Sequence, residues 1–587
     1  IVPTQPAKIP IREYYHLLAT YLRPHWRPVL LLTGCIFGSI GAQLASPQIM
    51  RFFLDTAIKG GDPEVLLWAA LAFLGAAVVQ GVFSVVATYL GENLGWTATN
   101  ALRKNLLAHC LDLDLSFHKL HTPGEMIERI GEDVNALANF FSQFTIRVLG
   151  NILIICGVLV LLYLENVWVG LTITLFVITT LATIQYFRSR SLPSQWAARE
   201  ASAELSGYIE ERLNGTEDIK ASGAVPHVMR GFFQFLRNRN DKQLYANAIA
   251  ARVRMAAIGL HYTGISLALV LGVTLARNDH SSIGTVYLFI LYTDLIFRPI
   301  MQITRQMEDF QQAGAGIQRI KELYRIRTEI PDGNGPPLPS GPLQLKWERV
   351  GFSYAGDDDK VLDNISFDLQ PGQTLGLLGR TGSGKTTITR LLTRLYEYDS
   401  GSIRIGGVEL KATKVTDIRQ RIGLVTQDVQ LFHASVRDNV TFFNNSIPDR
   451  QIIAVFQQLG LSQWLKSLPN GLNTMLTGGG GLSAGEAQLL ALSRVFLRDP
   501  GLVIMDEASS RLDPATEQRI ETAMDTLLSG RTGIIVAHRL RTILKMDKIL
   551  ILENGAIQEY GDREQLARDS DSIFSRLLET GLEEVMA

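Results

Sequence analysis

The sequence is short of cysteine and of charge. Its three cysteines, Cys35, Cys110 and Cys156, form no CxxC pair and stand at no metal-ligand spacing, so we expect neither a disulfide framework nor a zinc site. Charged residues make up 19% of the chain, below the roughly 25% that is usual for soluble proteins. The formal net charge of −1 gives no reason to expect nucleic-acid binding. The first residues also lack the pattern of a signal peptide, and we expect none.

Charge is missing above all from the first half of the chain, where long apolar runs follow one another. A helix needs about 20 apolar residues to cross a bilayer. Pro28–Met50 and Val65–Leu90 hold no Asp, Glu, Lys or Arg, three later runs are similar, and a weaker sixth run starts near Ile283. A buried soluble helix would explain one such run but not five. The six predicted spans cover approximately residues 28–58, 64–95, 141–165, 166–190, 250–277 and 282–305.

Basic residues are distributed unevenly between the connections that join these spans. The short connections contain only Lys59 and Arg277 as basic residues, whereas the long connections 91–147 and 188–254 contain many. Because positive residues stay on the cytosolic side of a membrane, we expect a multi-pass protein of the cell membrane with the long connections and both termini in the cytosol. The long connections have a helical pattern, so we expect the spans to continue into the cytosol as helices.

A glycine-rich segment in the second half has the spacing of a phosphate-binding loop. Gly379–Thr386 (GRTGSGKT) fits G-x-x-x-x-G-K-[ST], follows an apolar strand and opens a helical pattern, which is the context that a P-loop requires. In such loops backbone N–H groups surround the phosphates, the lysine reaches the β- and γ-phosphates and the last hydroxyl ligates Mg²⁺. The motif therefore predicts ATP and Mg²⁺ as cofactors. The predicted nucleotide-binding residues of this segment are Gly379, Arg380, Thr381, Gly382, Ser383, Gly384, Lys385, Thr386 and Thr387.

An apolar strand that ends in two carboxylates supports the same site. The run Gly501–Met505 is apolar and is followed by Asp506 and Glu507. Asp506 suits the Mg²⁺ shell. Glu507, one residue beyond, can polarise the water that attacks the γ-phosphate. Beside a P-loop, the pair predicts ATP hydrolysis with Glu507 as the catalytic base.

These motifs resemble the nucleotide-binding domains of ABC transporters, and nearly the whole chain resembles an ABC exporter half-transporter. The resemblance implies an α-helical six-span transmembrane domain at residues 1–325 and an α/β P-loop nucleotide-binding domain at residues 343–587. Between them, residues 326–342 are a predicted linker, because Pro331–Pro342 holds five prolines and three glycines. Phe117–Val134 and Glu217–Ala221 resemble the cytoplasmic segments that couple the two domains.

The resemblance also implies roles for single residues outside the two motifs. Tyr354 is similar to the ring that stacks on adenine, Gln427 to the residue that links Mg²⁺ and water to the membrane domain, and His538 to the switch histidine at the γ-phosphate. Ser483 and Gly485 occupy the signature segment, and Asp513 the D-loop. The implied catalytic residues are Glu507, His538 and Gln427, the implied Mg²⁺ ligands are Thr386, Gln427 and Asp506, and the further nucleotide contacts are Tyr354, Ser483, Gly485 and Asp513.

Members of this family work as dimers, which implies a second half-transporter as partner. Two nucleotide-binding domains close head to tail on two ATP molecules, and each ATP lies between one P-loop and the opposing signature helix. The N-terminus of that helix offers N–H groups to the γ-phosphate. Besides the partner chain we expect the lipid bilayer and an amphipathic drug-like molecule, lipid, peptide or siderophore as partners, and no nucleic acid.

The signature segment departs from the usual LSGGQ pattern, because Leu482–Glu486 reads LSAGE. Ala484 adds a methyl group where the backbone should approach phosphate closely. Glu486 adds a negative charge, whose repulsion of ATP is about 2 kcal/mol at about 8 Å if the carboxylate points inward, and near zero if it points to water. Arg511 stands where the D-loop usually has a small residue. The departure indicates either tolerated variation in a homodimer or a heterodimer with unequal sites, and both readings stay open.

Polar residues within the predicted spans allow two interpretations. Asp294 and Arg298 are four residues apart on one helix and can pair with each other. His261 and Gln80 are candidates for lining a cavity. We expect structural pairing in preference to substrate contact, and these residues name no substrate.

Two classes of function are compatible with the motifs. An active exporter or flippase is the leading hypothesis, and an ATP-gated channel or non-transporting regulatory subunit is the alternative. Glu507 and His538 are both present, which favours turnover. An importer is disfavoured, because importers usually keep membrane and ATPase domains on separate chains.

Overall fold

The chain divides into two units in the structure, a computed structural model that describes residues 23–139, 148–277, 282–354, 359–476, 482–506, 514–537 and 540–580. The first unit holds the chain up to Leu111 together with Pro123–Ile326. The second holds the short segment Asp112–Thr122 together with the chain from Arg327 onward. A segment of the predicted transmembrane domain therefore packs with the predicted nucleotide-binding domain.

Long helices make up the first unit. Five of them, among the described residues, are long and apolar enough to cross a membrane: α1, α2, α7, α9 and the first part of α10. A sixth apolar helix, α6, is shorter, and residues 140–147, where the predicted third span begins, lie outside the described ranges. The helical membrane domain is confirmed, and the count of six spans stays a prediction. The helices are α1 Trp26–Ile58, α2 Pro63–Asp112, α3 Leu115–Leu120 (in the second unit), α4 Pro123–Glu128, α5 Val134–Asn139, α6 Gly150–Glu165, α7 Val167–Asn214, α8 Thr216–Ala221, α9 Val225–Arg277 and α10 Ile283–Arg325.

These helices are much longer than a bilayer is thick. The 50 residues of α2 extend about 75 Å at about 1.5 Å per residue, against a hydrocarbon core of about 30 Å. Most of its buried side chains lie in the second half, where Leu94, Ala98, Leu102 and Leu106 form a stripe at helical spacing. The first half is mostly exposed and apolar, as a lipid-facing segment is.

Polar contacts tie the helices together at the end with the short connections. Arg51 of α1 donates a hydrogen bond of 2.6 Å to Glu165, at the end of α6. Asp55, one turn further along α1, accepts from Ser282 Oγ at 2.7 Å and from Gly284 N at 2.9 Å. Asn166 separates α6 from α7, because its side chain accepts the first free N–H groups of α7. The short connections are thus held by specific caps and ion pairs.

The expected pairing of Asp294 with Arg298 is wrong. Asp294 Oδ1 lies 3.4 Å from His261 Nε2 of α9, although Arg298 is only one turn away on α10 itself. The contact between two neighbouring helices replaces the contact within one helix. The sequence spacing showed that Asp294 and Arg298 share a face, but it could not show which residue of α9 would lie against that face.

The second unit contains two main sheets and the helices that cover them. The larger sheet has the order β12-β11-β3-β10-β9-β6, parallel except for the edge strand β12, and the smaller antiparallel sheet has the order β2-β1-β4-β5. The α/β fold of the nucleotide-binding domain is thus confirmed. The strands are β1 Leu345–Phe352, β2 Leu362–Leu369, β3 Thr374–Gly379, β4 Ser400–Ile405, β5 Val408–Glu409, β6 Ile422–Val425, β7 Ala434–Ser435, β8 Met475–Leu476, β9 Leu502–Asp506, β10 Thr532–Val536, β11 Lys548–Glu553 and β12 Ala556–Asp562; the helices are α11 Lys385–Leu392, α12 Val415–Arg421, α13 Val436–Thr441, α14 Asp449–Gln458, α15 Ser462–Ser467, α16 Ala484–Phe496, α17 Pro514–Leu528, α18 Leu540–Ile543, α19 Arg563–Arg568 and α20 Ile573–Thr580.

The parallel strands bring the predicted site residues to one edge of the larger sheet. Strands β9 and β10 are apolar and almost fully buried, as strands covered on both faces are. The carboxyl ends of β3, β9 and β6 lead to the P-loop, to Asp506 and to Gln427. Ligands of open parallel sheets bind at this edge.

The proline-rich linker lies fixed on the second unit. Arg394 is only 1% exposed, and its guanidinium donates hydrogen bonds of 2.7 Å both to Pro331 O and to Thr413 O. Farther along, Arg421 Nη2 donates to Gly341 O at 2.7 Å. The linker carbonyls are therefore held by two arginines of the domain that follows them.

Candidate nucleotide-binding site

The P-loop is built by glycines in backbone conformations that other residues rarely adopt. Gly379 (φ 145°), Gly382 (φ 84°) and Gly384 (φ 105°) all have positive φ, which favours glycine. A side chain at Gly379 would meet Leu552 O at 2.2 Å, so this position excludes even alanine. The loop that results leads directly into α11.

Lys385, the first residue of α11, folds back over the loop. Its Nζ donates to Gly379 O at 2.5 Å and to Arg380 O at 2.9 Å. Burial lowers the pKa of Lys385, and the nearby Asp506 carboxylate opposes that shift. The ammonium group is thus held between the loop and the end of β9, where a phosphate group would meet it.

The loop holds one buried hydroxyl that nothing else in the described chain satisfies. Ser383 is 4% exposed, and its Oγ is buried without a hydrogen-bond partner. Buried hydroxyls are normally paired, so an orphan here fits an oxygen-rich ligand. Thr386 is exposed at the start of α11, whereas Thr387 is buried. Ser383, Lys385, Thr386 and Asp506 together match the donor and ligand set that a Mg²⁺-nucleotide needs.

Four further residues were predicted at this site. Gln427 is exposed, two residues beyond the end of β6. Glu507, Asp513 and His538 lie outside the described residues. The neighbouring strand ends are described, since Asp506 pairs in register with Val536 of β10. The roles of these residues therefore stay predictions from the sequence.

Tyr354, the predicted adenine-stacking residue, is half-buried after β1. Its hydroxyl lies 3.0 Å from Thr387 Oγ1, and Arg390 donates to it at 3.3 Å. Lys119 Nζ lies over the ring, 4.6 Å from its centroid. The ring is thus fixed from α11, and an adenine that stacks on it must use the opposite face or displace Lys119.

The contact with Lys119 arises from a segment whose packing sequence reasoning missed. Helix α3 is capped by Asp114, whose Oδ1 accepts from Phe117 N at 3.2 Å, while Oδ2 accepts from Glu329 N at 2.8 Å. Leu115 packs against the hydrophobic core that residues of both sheets share. Asp114 stands directly before the apolar Leu115, which is a helix-start signal that could have located α3, but the signal says nothing about what α3 touches.

The signature segment forms a self-capped helix start. Ser483 is the N-cap of α16, and its Oγ accepts from Glu486 N at 3.2 Å. The Glu486 carboxylate in turn accepts from Ser483 N at 2.8 Å and from Ser483 Oγ at 3.0 Å. This is a capping box. Glu486 therefore points neither at an outer ligand nor freely into water, but at the donors of its own helix N-terminus.

Comparison with known proteins agrees with this architecture. The family model of the ABC transporter transmembrane region matches residues 29–300, and the ABC transporter model matches residues 362–510. The chain is 29% identical over 575 residues to an ATP-dependent lipid A-core flippase of Dechloromonas aromatica (strain RCB), an alignment that covers 96% of this chain and 97% of the relative. It is 28% identical over 550 residues to the cyclolysin secretion/processing ATP-binding protein CyaB of Bordetella pertussis (strain Tohama I), covering 91% of this chain and 75% of that protein.

A solved structure shares the fold. The structure of a bacterial Atm1-family ABC exporter with ATP bound has a TM-score of 0.78 and 24% sequence identity, and the match covers 95% of this chain and 98% of that one. A transmembrane region and an ATPase domain of one family are fused in a single chain here. The protein therefore belongs to the ABC transporters and has the half-transporter architecture of their ATP-hydrolysing exporters.

Proposed function

We propose that this chain uses ATP hydrolysis to export or flip an amphipathic substrate across the cell membrane, as one half of a dimeric transporter. The observation that carries the proposal is the P-loop cradle, with Lys385 between its carbonyls and Asp506 and with the unpartnered Ser383 hydroxyl, on the same chain as five membrane-length helices. Relatives that move lipid A-core or secrete cyclolysin support this class of activity.

The residues of the cradle and its surroundings contact different parts of the bound nucleotide. Lys385 and the loop N–H groups bind the β- and γ-phosphates, and Thr386, Asp506 and Gln427 would hold a Mg²⁺ ion, which when bound would supply positive charge for the phosphoryl group. Tyr354 positions the adenine. Glu507 orients and deprotonates the attacking water, and His538 contacts the γ-phosphate.

The capping box on α16 favours a partner that differs from this chain. An ATP bound between one P-loop and the opposing signature helix needs the N–H groups at that helix N-terminus. Here Glu486 accepts hydrogen bonds from Ser483 N and Oγ. A site completed by this chain's signature is therefore weakened, while its own P-loop can pair with an unobstructed signature. We infer a heterodimer with two unequal ATP sites, and a homodimer with two weakened sites is the other outcome.

The distribution of basic residues supports one orientation of the chain in the membrane. Basic residues cluster in the long connections, and such clusters stay in the cytosol. The ATPase unit continues from α10 and needs cytosolic ATP. We therefore infer that both termini and the ATPase unit lie on the cytosolic side of the inner or plasma membrane.

Reconstitution tests the proposal directly. The purified transporter is placed in vesicles that contain a phospholipid labelled with nitrobenzoxadiazole, and dithionite reports which leaflet holds the label. ATP should drive label across the bilayer, and Lys385→Ala should abolish both this movement and ATP hydrolysis. Hydrolysis without movement of this lipid or of any other amphiphile offered in the same format would contradict the proposal.

A further inference from the structure

Three polar side chains lie deep in the membrane unit. Asp294 stands eleven residues after the start of α10 at Ile283, and His261 sixteen residues before the end of α9 at Arg277. At about 1.5 Å per residue they lie about 16 and 24 Å from those ends, near the middle of a hydrocarbon core about 30 Å thick. Arg298 follows Asp294 by one turn. Such residues in a membrane segment normally mark a ligand or ion path.

Of these three residues, only Asp294 and His261 contact each other as a possible ion pair. His261 Nε2 lies 3.4 Å from Asp294 Oδ1, yet the Asp294 side chain stays 56% exposed. Arg298 is exposed and has no ion-pair or hydrogen-bond partner within the described ranges. One face of α10 therefore presents a carboxylate and a guanidinium, which point out of the chain and do not pair with each other.

Lipid tails cannot be the neighbour of this face. Charged side chains at membrane depth face a bundle interior or a water-filled cavity, because hydrocarbon offers them no hydrogen bonds. The face that carries Asp294 and Arg298 must then border water, a ligand or another chain.

His261 also borders a small cavity. A cavity of about 10 Å³ is lined by Phe176, Thr180, His261, Thr293 and other residues of α7, α9 and α10. Thr180 is 1% exposed, and both Thr180 Oγ1 and His261 Nδ1 are buried without a partner. A cavity of this size is at the limit for one water. His261 is held by Asp294 at Nε2 and by the ring of Phe297, whose centroid lies 4.3 Å away, and it acts as a positioning residue for Asp294.

We propose that Asp294, positioned by His261, and Arg298 form a subsite for a zwitterionic headgroup that carries both an anionic group and a protonated amine. This inference rests on the proposed function and names the class of its substrate. Asp294 accepts hydrogen bonds from the amine, and Arg298 donates to the phosphate or carboxylate. Side chains four apart on a helix have Cβ atoms about 5–6 Å apart, so one compact headgroup can reach both. A purely anionic headgroup would meet Asp294 with like charge, and a purely cationic one would meet Arg298.

The test compares headgroups on one tail. Binding of lysophosphatidylethanolamine, lysophosphatidylglycerol and a long-chain alkylamine to the purified full-length transporter in dodecyl maltoside is measured by native mass spectrometry without nucleotide. The ethanolamine lipid should bind at least about tenfold tighter than the other two, since each of them loses a charge-assisted hydrogen bond. Equal binding of all three probes to the wild-type protein would overturn the proposal, and this result requires no variant.

Variants assign the selectivity to residues. Asp294→Asn should remove the preference for ethanolamine over glycerol, and Arg298→Gln should weaken both lysolipids about tenfold. His261→Gln, which keeps a donor for Asp294, should retain the preference that His261→Leu loses. Thr263→Ala is the matched control, because Thr263 is an exposed polar residue of α9 whose hydroxyl donates to Gly259 O of its own helix. A folded Asp294→Asn protein that keeps the full preference would overturn the assignment.

Failure of the subsite and failure of the transport function give different results. Selective binding by a protein that hydrolyses no ATP would overturn the proposed function and support the subsite. ATP-driven movement of lipid by a protein without headgroup selectivity would overturn the subsite and support the function.

Discussion

Replacing Glu486 with glutamine should tighten ATP binding at any site that uses this chain's signature helix. The Glu486 carboxylate accepts hydrogen bonds from Ser483 N at 2.8 Å and from Ser483 Oγ at 3.0 Å. These donors, with the positive end of the helix dipole, are what a γ-phosphate would use at the start of α16. The carboxylate therefore places a negative charge on donors that the phosphate would use.

The magnitude follows from the charge that is removed. A negative charge about 8 Å from the γ-phosphate, at an effective dielectric near 20, opposes binding by about 2 kcal/mol. Since each 1.4 kcal/mol corresponds to a factor of ten, Glu486→Gln should tighten ATP binding by up to about thirtyfold. The same change weakens the interaction with the helix dipole by about 0.3–1 kcal/mol. ATP affinity should thus rise while thermal stability falls slightly.

The assay is displacement of a fluorescent ATP analogue from the purified transporter, with a thermal melt of the same sample. Glu564→Gln is the matched control, because it makes the same change in the first turn of another helix, α19, and should leave ATP affinity unaltered. In a particle made only of this chain, both sites should gain affinity. In a mixed dimer one site should gain, and turnover at this chain's own P-loop should stay the same. An unchanged affinity in both kinds of particle would refute the repulsion between carboxylate and phosphate.

Three further changes have definite expected outcomes. Tyr354→Ala should weaken nucleotide binding by about 1–3 kcal/mol, by analogy with base stacking elsewhere, and Tyr354→Phe or Tyr354→Trp should be mild for binding, as a nucleotide titration would show; equal damage from Ala and Trp would point to a packing role. Burial acts to raise the pKa of Asp114, but hydrogen bonds from Glu329, Phe117, Ser116 and Thr328 outweigh it and hold the pKa below its ordinary value. The stability that Asp114 contributes is therefore present above about pH 4 and is lost as the pH falls through the lower pKa of the folded state. Thermal melts of Asp114→Asn at decreasing pH should lack this loss of stability. Arg394→Met should destabilise the protein by roughly 2–3 kcal/mol, because the buried Thr413 carbonyl and the partly buried Pro331 carbonyl lose hydrogen bonds to a charged group; a melting temperature equal to wild type would show that water replaces the guanidinium.

Local backbone requirements made part of the structure predictable from sequence. The glycines of the P-loop stand at positive φ between a strand and a helix, as the motif requires. The apolar runs indicated where the membrane helices lie, because the thickness of the bilayer sets the length of an apolar run that crosses it. Each of these features depends on neighbours along the chain, and the sequence displays such neighbours directly.

Contacts between distant segments were not predictable in the same way. Spacing placed Asp294 and Arg298 on one face of α10, but the partner of Asp294 is His261, on another helix. The Lys119–Tyr354 contact joins residues that are far apart in the chain. The capping box of Ser483 and Glu486 is a local contact, and its S-x-x-E spacing is visible in the sequence. The resemblance to the signature segment instead indicates only that Glu486 faces either a phosphate or water.

The measurement that tests the central claim most directly is lipid movement by Glu507→Gln in vesicles that contain ATP. General-base loss should slow hydrolysis by about 10²–10⁴ while ATP binding survives, which separates nucleotide binding from turnover. If hydrolysis drives transport, labelled lipid should move at most once per bound ATP and then stop, although the wild-type protein continues. Sustained movement of label or of small solutes by Glu507→Gln with ATP bound would show an ATP-gated passage and contradict an ATP-driven exporter.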